Sequence, residues 1–180
     1  LDLDGVMGEP EDALGYGAFP GQYGMLVLSR FPILEDDIRT FRNFKWADMP
    51  AAQRPFNPDG TRYWDNGTWR DLPLSSKSHW DIPIQVERFT VAHVLASHPT
   101  PPVFDGPENR NGRRNHDEIR FWSDYIDAES GAYIYDDQGG RGSLGDERFV
   151  ILGDLNASME EGDARREGIA ELLGHDRVRR

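Results

Sequence analysis

Asp154 and Asn156 close an apolar, β-branched run, Arg148-Phe149-Val150-Ile151-Leu152-Gly153. The run reads as a buried strand, predicted over 148–155. A carboxylate and an amide oxygen at i and i+2 on a strand leave the same face. At the strand's end both can project into a cleft. There they suit a hard cation such as Mg²⁺, or a phosphate and its attacking water. Asp, Asn and Gly are also ordinary turn formers, so a plain strand-to-turn exit fits the same residues. A second apolar run, Val91-Ala92-His93-Val94-Leu95-Ala96-Ser97, closes on His98. A histidine there can supply a proton or a positive hydrogen bond near neutral pH. Phosphoester hydrolysis needs an activated water, neutralised charge on the phosphoryl oxygens and help for the leaving group. His98, Asp154 and Asn156 are the candidates for that work. His98 and Asp154 are far apart in sequence, so only the fold can join them, as adjacent strands of one sheet would.

The strand closing on His98 and the later strand closing on Gly153-Asp154-Leu155-Asn156-Ala157 together resemble the endonuclease/exonuclease/phosphatase superfamily. Two further stretches extend the likeness over about residues 15–157. Phe19-Pro20-Gly21-Gln22-Tyr23-Gly24-Met25 leads into Leu26-Val27-Leu28-Ser29-Arg30-Phe31-Pro32-Ile33, and Arg110 to Ile119 looks like the start of the helix after the histidine loop. The resemblance implies an α+β fold, the DNase I-like four-layer α/β/β/α sandwich, with the site at the rim where strand ends of both sheets meet. It implies a metal-dependent phosphoesterase. Asp154 would activate or position the nucleophile, Asn156 would contact the scissile phosphate, and His98 would stabilise the phosphorane or assist the leaving group. The divalent metal would be Mg²⁺, with Mn²⁺ or Ca²⁺ as alternatives, and Asp154 and Asn156 among its ligands. The family's main metal-binding glutamate would precede residue 1, and an Asp-His pair would follow residue 180. On that reading residues 1–180 are one partial domain, incomplete at both ends, and are catalytically silent alone.

Arg113, Asn115 and His116 lie just after the histidine loop. They could reach substrate phosphates, the arginine as a bidentate fork. A solvated helix start with Asn115 as its N-cap is the other reading. Trp46, Phe56, Tyr63, Trp64 and Trp69 are scattered through 43–75 without helical or strand period. A loop this long is usually functional or disordered, and its aromatic content argues against disorder. The segment is expected either to wall the cleft or to be a surface loop pinned to the body by its aromatics. As a contact surface, it also supports a different class of function, a non-catalytic binding protein on the same scaffold.

The 180 residues suffice for one sizeable core, and the net charge of −12 repels phosphate backbones, which argues against a broad basic nucleic-acid surface. A phosphoester substrate stays open, because a bound divalent cation inverts local charge. The absence of cysteine excludes disulfides, thiol nucleophiles and thiolate zinc sites. No apolar run approaches the roughly 20 residues of a membrane span. Compartment, including a secreted or cell-envelope one, and oligomeric state stay open.

The elements that must position the site follow from periodicity. Strands are predicted over about 24–29 and 33–42, the second with a start blurred by Glu35-Asp36-Asp37. Residues 77–86 and 89–97 read as a β-hairpin turning at Glu87-Arg88. His79 is expected at the surface or in packing. His93 shares a face with Val91, Leu95 and Ser97, opposite His98, as a satisfied core histidine. A proline-rich loop over 99–111 is too short of N–H donors to join a sheet. A helix is predicted over 113–127, with Ile119, Trp122, Tyr125 and Ile126 at helical spacing, and another over 164–173 with Gly174 as its stop. Residues 137–147 form a Gly-rich linker that lacks a P-loop's Gly-Lys-Ser/Thr. Asp2-x-Asp4-Gly5 reads as a solvated loop rather than a calcium loop.

Overall fold

The two runs that close on His98 and Gly153 are neighbours in one sheet. A computed structural model describes residues 3–179. Among these, four strands form a sheet in the order β1-β2-β3-β4: β1 Arg39–Thr40, β2 His79–Glu87, β3 Thr90–Ser97 and β4 Phe149–Gly153. β1 to β3 are antiparallel, and β2 and β3 form the predicted hairpin. β4 runs parallel to β3, from His93 opposite Phe149 to Ser97 opposite Gly153. The crossover between them carries α2, Arg110–Tyr125. The remaining helices are α1, Asn66–Asp71, and α3, Arg166–Gly174.

Strand alternation divides the sheet cleanly. One face presents Leu95, Phe149 and Ile151 to a core built with Ile119, Trp122 and Tyr125 of α2 and with Ile169 and Leu172 of α3. The other presents Trp80, Ile82, Ile84, Val94 and Ala96, against which Val27, Ile33 and Ile38 pack. Val150 and Leu152 stay partly exposed on that face. The described residues thus supply a helical layer and one sheet of an α+β sandwich.

Both histidines of the hairpin sit on the helix-facing side, and each is paired. His93 Nδ1 lies 2.6 Å from Asp81 Oδ1, and Asp81 Oδ2 accepts from the Tyr125 hydroxyl at 2.6 Å. His79 is packed, not surface: its Nδ1 meets Ser75 Oγ at 2.5 Å and its Nε2 meets the Glu118 carbonyl at 2.8 Å.

Several expectations are corrected. Residues 24–29 form no strand, because their backbone joins no ladder among the described residues and Leu26 and Leu28 lie exposed. The 33–42 strand is broken by the 3₁₀ turn Glu35–Asp37; only an Ile33–Ile84 bridge and β1 survive. α2 starts three residues earlier than predicted. Its first N–H groups, those of Asn111 and Gly112, are both capped at 2.8 Å by Asp105, a carboxylate outside the helix. Residues 43–75 are no surface loop: Phe44, Trp46, Trp64, Leu72 and Leu74 belong to the main core. Trp46 packs on Trp69 with ring centroids 4.9 Å apart, and its Nε1 donates to Asp117 at 2.6 Å. Within this stretch Asp65 caps α1 by accepting from Gly67 and Thr68. Asp4 lies in an exposed turn, where it accepts from Val6 N–H, while Asp2 lies outside the described residues.

Candidate active site

β3 and β4 end side by side, so His98 and Asp154, each one residue past its strand, leave the sheet at one edge. Gly153 makes that exit possible. Its φ is +139°, and a Cβ there would lie 2.0 Å from the Ser97 carbonyl oxygen, an approach only glycine tolerates. The strand stops at Gly153, two residues short of its predicted end. Asp154 and Asn156 therefore share a side through a turn rather than through strand alternation. Asn156 is left-handed at φ 51°. Its N–H donates to Asp154 Oδ1 at 3.0 Å. Its Nδ2 donates to the Pro99 carbonyl at 3.1 Å, which ties the turn to the histidine loop.

His98, Asp154 and Asn156 line one cavity of about 570 Å³, beside Trp64, Lys77 and Thr100. The remaining oxygens, Asp154 Oδ2 and Asn156 Oδ1, make no hydrogen bond among the described residues. The insertion that fills the core thus also walls the cavity through Trp64 and Leu72. Of its aromatics Phe56 is exposed, Tyr63 and Trp69 are half-buried, and Trp46 and Trp64 are buried.

Arg113, Asn115 and His116 do not line this cavity. Arg113 Nε donates to the Glu108 carbonyl at 3.0 Å. His116 Nδ1 lies 2.9 Å from Gln53 Nε2 and 3.0 Å from Asp117 Oδ1. Asn115 is fully buried, in the second turn of the helix rather than at its cap. Its Nδ2 donates to the Thr100 carbonyl at 2.9 Å and the Leu155 carbonyl at 3.0 Å. Its polar hydrogens are engaged inside the protein, where they hold the two loops that carry His98 and Asn156.

Glu118, one turn further along, does the same for another pair of segments. It accepts from Ser76 N–H at 2.7 Å and Thr100 N–H at 2.5 Å. Arg114 donates to the carbonyls of Leu74 at 2.8 Å and Pro73 at 2.9 Å, and to that of Leu14. Burial pushes the Arg114 guanidinium below its ordinary range, opposed by Glu118. Lys77, which the sequence did not single out, is lowered first by burial and then by Arg114, while Glu118 and Asp154 pull it upward.

Among the described residues no group of three or more His, Cys, Asp and Glu is placed to share a metal ion. Asp154 and Asn156 offer a carboxylate and an amide oxygen to the cavity, whose lining also includes Glu11. Such a pair fits Mg²⁺, a hard cation that keeps several waters and takes one or two protein carboxylates plus substrate oxygens.

The parallel pair β3 and β4 thus ends in a histidine, a carboxylate and an amide that line one cavity. The chain belongs to the Endonuclease/Exonuclease/phosphatase family, whose model matches residues 3–178. No curated protein and no solved structure gives a match. Membership makes the fold DNase I-like and sets the protein among families that are generally hydrolases of phosphoester bonds and usually use divalent metals. No helix among the described residues is long and apolar enough to cross a membrane.

Proposed function

We propose that the protein is a metal-dependent phosphoesterase that hydrolyses a phosphodiester or phosphomonoester by in-line attack of water. One observation carries the reading: His98, Asp154 and Asn156, from two separate loops, line a single cavity. Asp154 and Asn156 would hold the ion, Mg²⁺ with Mn²⁺ or Ca²⁺ as alternatives. When bound, it supplies positive charge to the phosphoryl oxygens. Asp154 Oδ2 is free to accept a hydrogen bond from the attacking water. Asn156, with one Nδ2 hydrogen fixed on the Pro99 carbonyl, would offer its other Nδ2 hydrogen to a phosphoryl oxygen and its Oδ1 to the ion. His98 stands at the other strand end, where an imidazolium stabilises charge on the phosphorane or protonates the leaving oxygen.

The test assays the full-length protein on bis-p-nitrophenyl phosphate and p-nitrophenyl phosphate with Mg²⁺, Mn²⁺ and Ca²⁺. Metal-dependent turnover is expected. His98→Ala should lower kcat about a hundredfold or more while leaving KM and the melting temperature nearly unchanged. Equal activity in variant and parent removes His98 from the mechanism. No turnover of any phosphoester with any of the three ions refutes the reading.

A further inference from the structure

An anionic substrate approaching a chain of net charge −12 needs fixed positive charge at its destination. Three cationic side chains line the cavity of His98, Asp154 and Asn156: Lys77, Arg110 and Arg114. Two are already engaged. Arg110 is paired with Glu108 and lies over the Tyr63 ring, 5.6 Å from its centroid. Arg114 directs its guanidinium to three main-chain carbonyls. The Lys77 ammonium makes no hydrogen bond or ion pair among the described residues, although the residue is half-buried and lines the cavity together with Asp154.

The main chain around Lys77 is fixed on both sides. Ser76 N–H donates to Glu118 at 2.7 Å, and the Lys77 carbonyl accepts from Arg42 at 2.9 Å. The same Glu118 carboxylate takes Thr100 N–H, two residues from His98. One buried side chain thus sets the spacing between the lysine and the histidine loop. Residue choice points the same way. Of the 20 lysines and arginines in the sequence only Lys45 and Lys77 are lysine. Lys45 is accounted for, its Nζ donating to the Asp71 carbonyl at 2.8 Å. An ammonium is a compact charge with three rotatable donors, suited to an oxyanion of changing geometry.

We infer that Lys77 is a substrate-binding residue whose ammonium holds a non-bridging oxygen of the phosphoryl group, in the cavity it shares with His98. The inference rests on the phosphoesterase reading and adds to it the residue that supplies the resident positive charge. Lys77 contributes a charge-assisted hydrogen bond and transfers no proton.

With two lysines in the sequence, the assignment can be read directly by NMR on protein labelled with ¹³C,¹⁵N-lysine and titrated with inorganic phosphate, with and without Mg²⁺. The Lys77 Cε and Nζ signals, identified by their loss in Lys77→Gln, should move, and those of Lys45 should stay. Calorimetry should show phosphate affinity falling about tenfold or more in Lys77→Gln, the loss of one charge-assisted bond. Lys77→Arg, which keeps the charge, should recover most of it. In phosphoester assays Lys77→Gln should raise KM and lower kcat together, at an unchanged melting temperature. A Lys77 signal unmoved by phosphate, or phosphate affinity equal in Lys77→Gln and parent, overturns the inference. So does a melting temperature that falls in Lys77→Gln, since it gives the lysine a structural role. Metal-dependent turnover that is lost in His98→Ala and untouched in Lys77→Gln also overturns it, and leaves the phosphoesterase reading standing. Phosphate binding through Lys77 without turnover sinks the phosphoesterase reading alone.

Discussion

Asn115→Ala separates a strut from a substrate contact. The side chain is fully buried and donates both amide hydrogens, to the carbonyls of Thr100 at 2.9 Å and Leu155 at 3.0 Å. Truncation strands one buried and one partly buried acceptor, at about 1–3 kcal/mol each. The expected loss of stability is therefore about 2 kcal/mol at the least, before any cost of the space left behind. In a chain of this size each kcal/mol moves the melting temperature by about 2–4 °C, so a fall of about 4 °C or more should appear by calorimetry. Urea titration should show the midpoint falling with an unchanged slope. Activity should fall as well, because both loops of the site lose a shared anchor, and the fall should appear chiefly in kcat. Asn115→Asp keeps the volume and replaces the donors with a carboxylate facing two carbonyl oxygens, so it should cost at least as much. A melting temperature within about 1 °C of the parent, together with a raised KM, would refute the strut and restore Asn115 as a substrate contact.

Two further outcomes test the frame of the site. Gly153→Ala must adopt φ +139° with a Cβ 2.0 Å from the Ser97 carbonyl. The backbone conformation alone costs about 1–3 kcal/mol. Gly174→Ala, where a Cβ meets nothing within 4 Å, should leave the melting temperature nearly unchanged. Burial holds the His79 imidazole below its ordinary range, outweighing Glu118. The unfolded chain therefore binds this proton more readily. His79's contribution is fully present above the unfolded value of about 6.5 and is lost progressively as pH falls below it. Melting temperatures from pH 7.5 down to about 5 should drop less steeply in His79→Gln than in the parent, and parallel curves would remove His79 from the acid response.

The parts legible in the sequence were those set by local period. Alternation placed the hairpin, put His93 on the Leu95 face, and ended two apolar runs at His98 and Gly153. Helical spacing of Ile119, Trp122 and Tyr125 placed α2. What escaped was set by partners distant in sequence. The start of α2 depends on Asp105, which lies outside the helix and shows no capping pattern at its first turn. Residues 43–75 have no period because their aromatics fill a gap between elements rather than lining one face. Asn115 was the readable miss. It lies four residues before Ile119 and seven before Trp122, on the apolar stripe itself. An amide on a buried stripe must find partners inside the protein, so its position already argued against a solvated helix start. Lys77 carried no local signal at all. Its meaning comes from the cavity and from the accounting of every other cation there.

α2 explains why these loops can serve as a site at all. Segments 73–76, 99–100 and 155 carry few regular backbone bonds of their own, and Pro73 and Pro99 remove donors from them. Each is held instead by side chains of one helix: Arg114 for 73–74, Glu118 for 76 and 100, Asn115 for 100 and 155. The helix is in turn fixed by α3 and by the sheet, where Trp122 Nε1 donates to Ser97 Oγ at 2.8 Å, directly behind His98. Reacting groups must be held to within fractions of an ångström of their working geometry, and irregular loops alone do not provide that. A buried polar stripe that bonds main chain, rather than substrate, does. It also makes the stability of the core and the geometry of the cavity a single property, because the residues that satisfy the loops' backbone are the ones that set the distances between Lys77, His98 and Asn156.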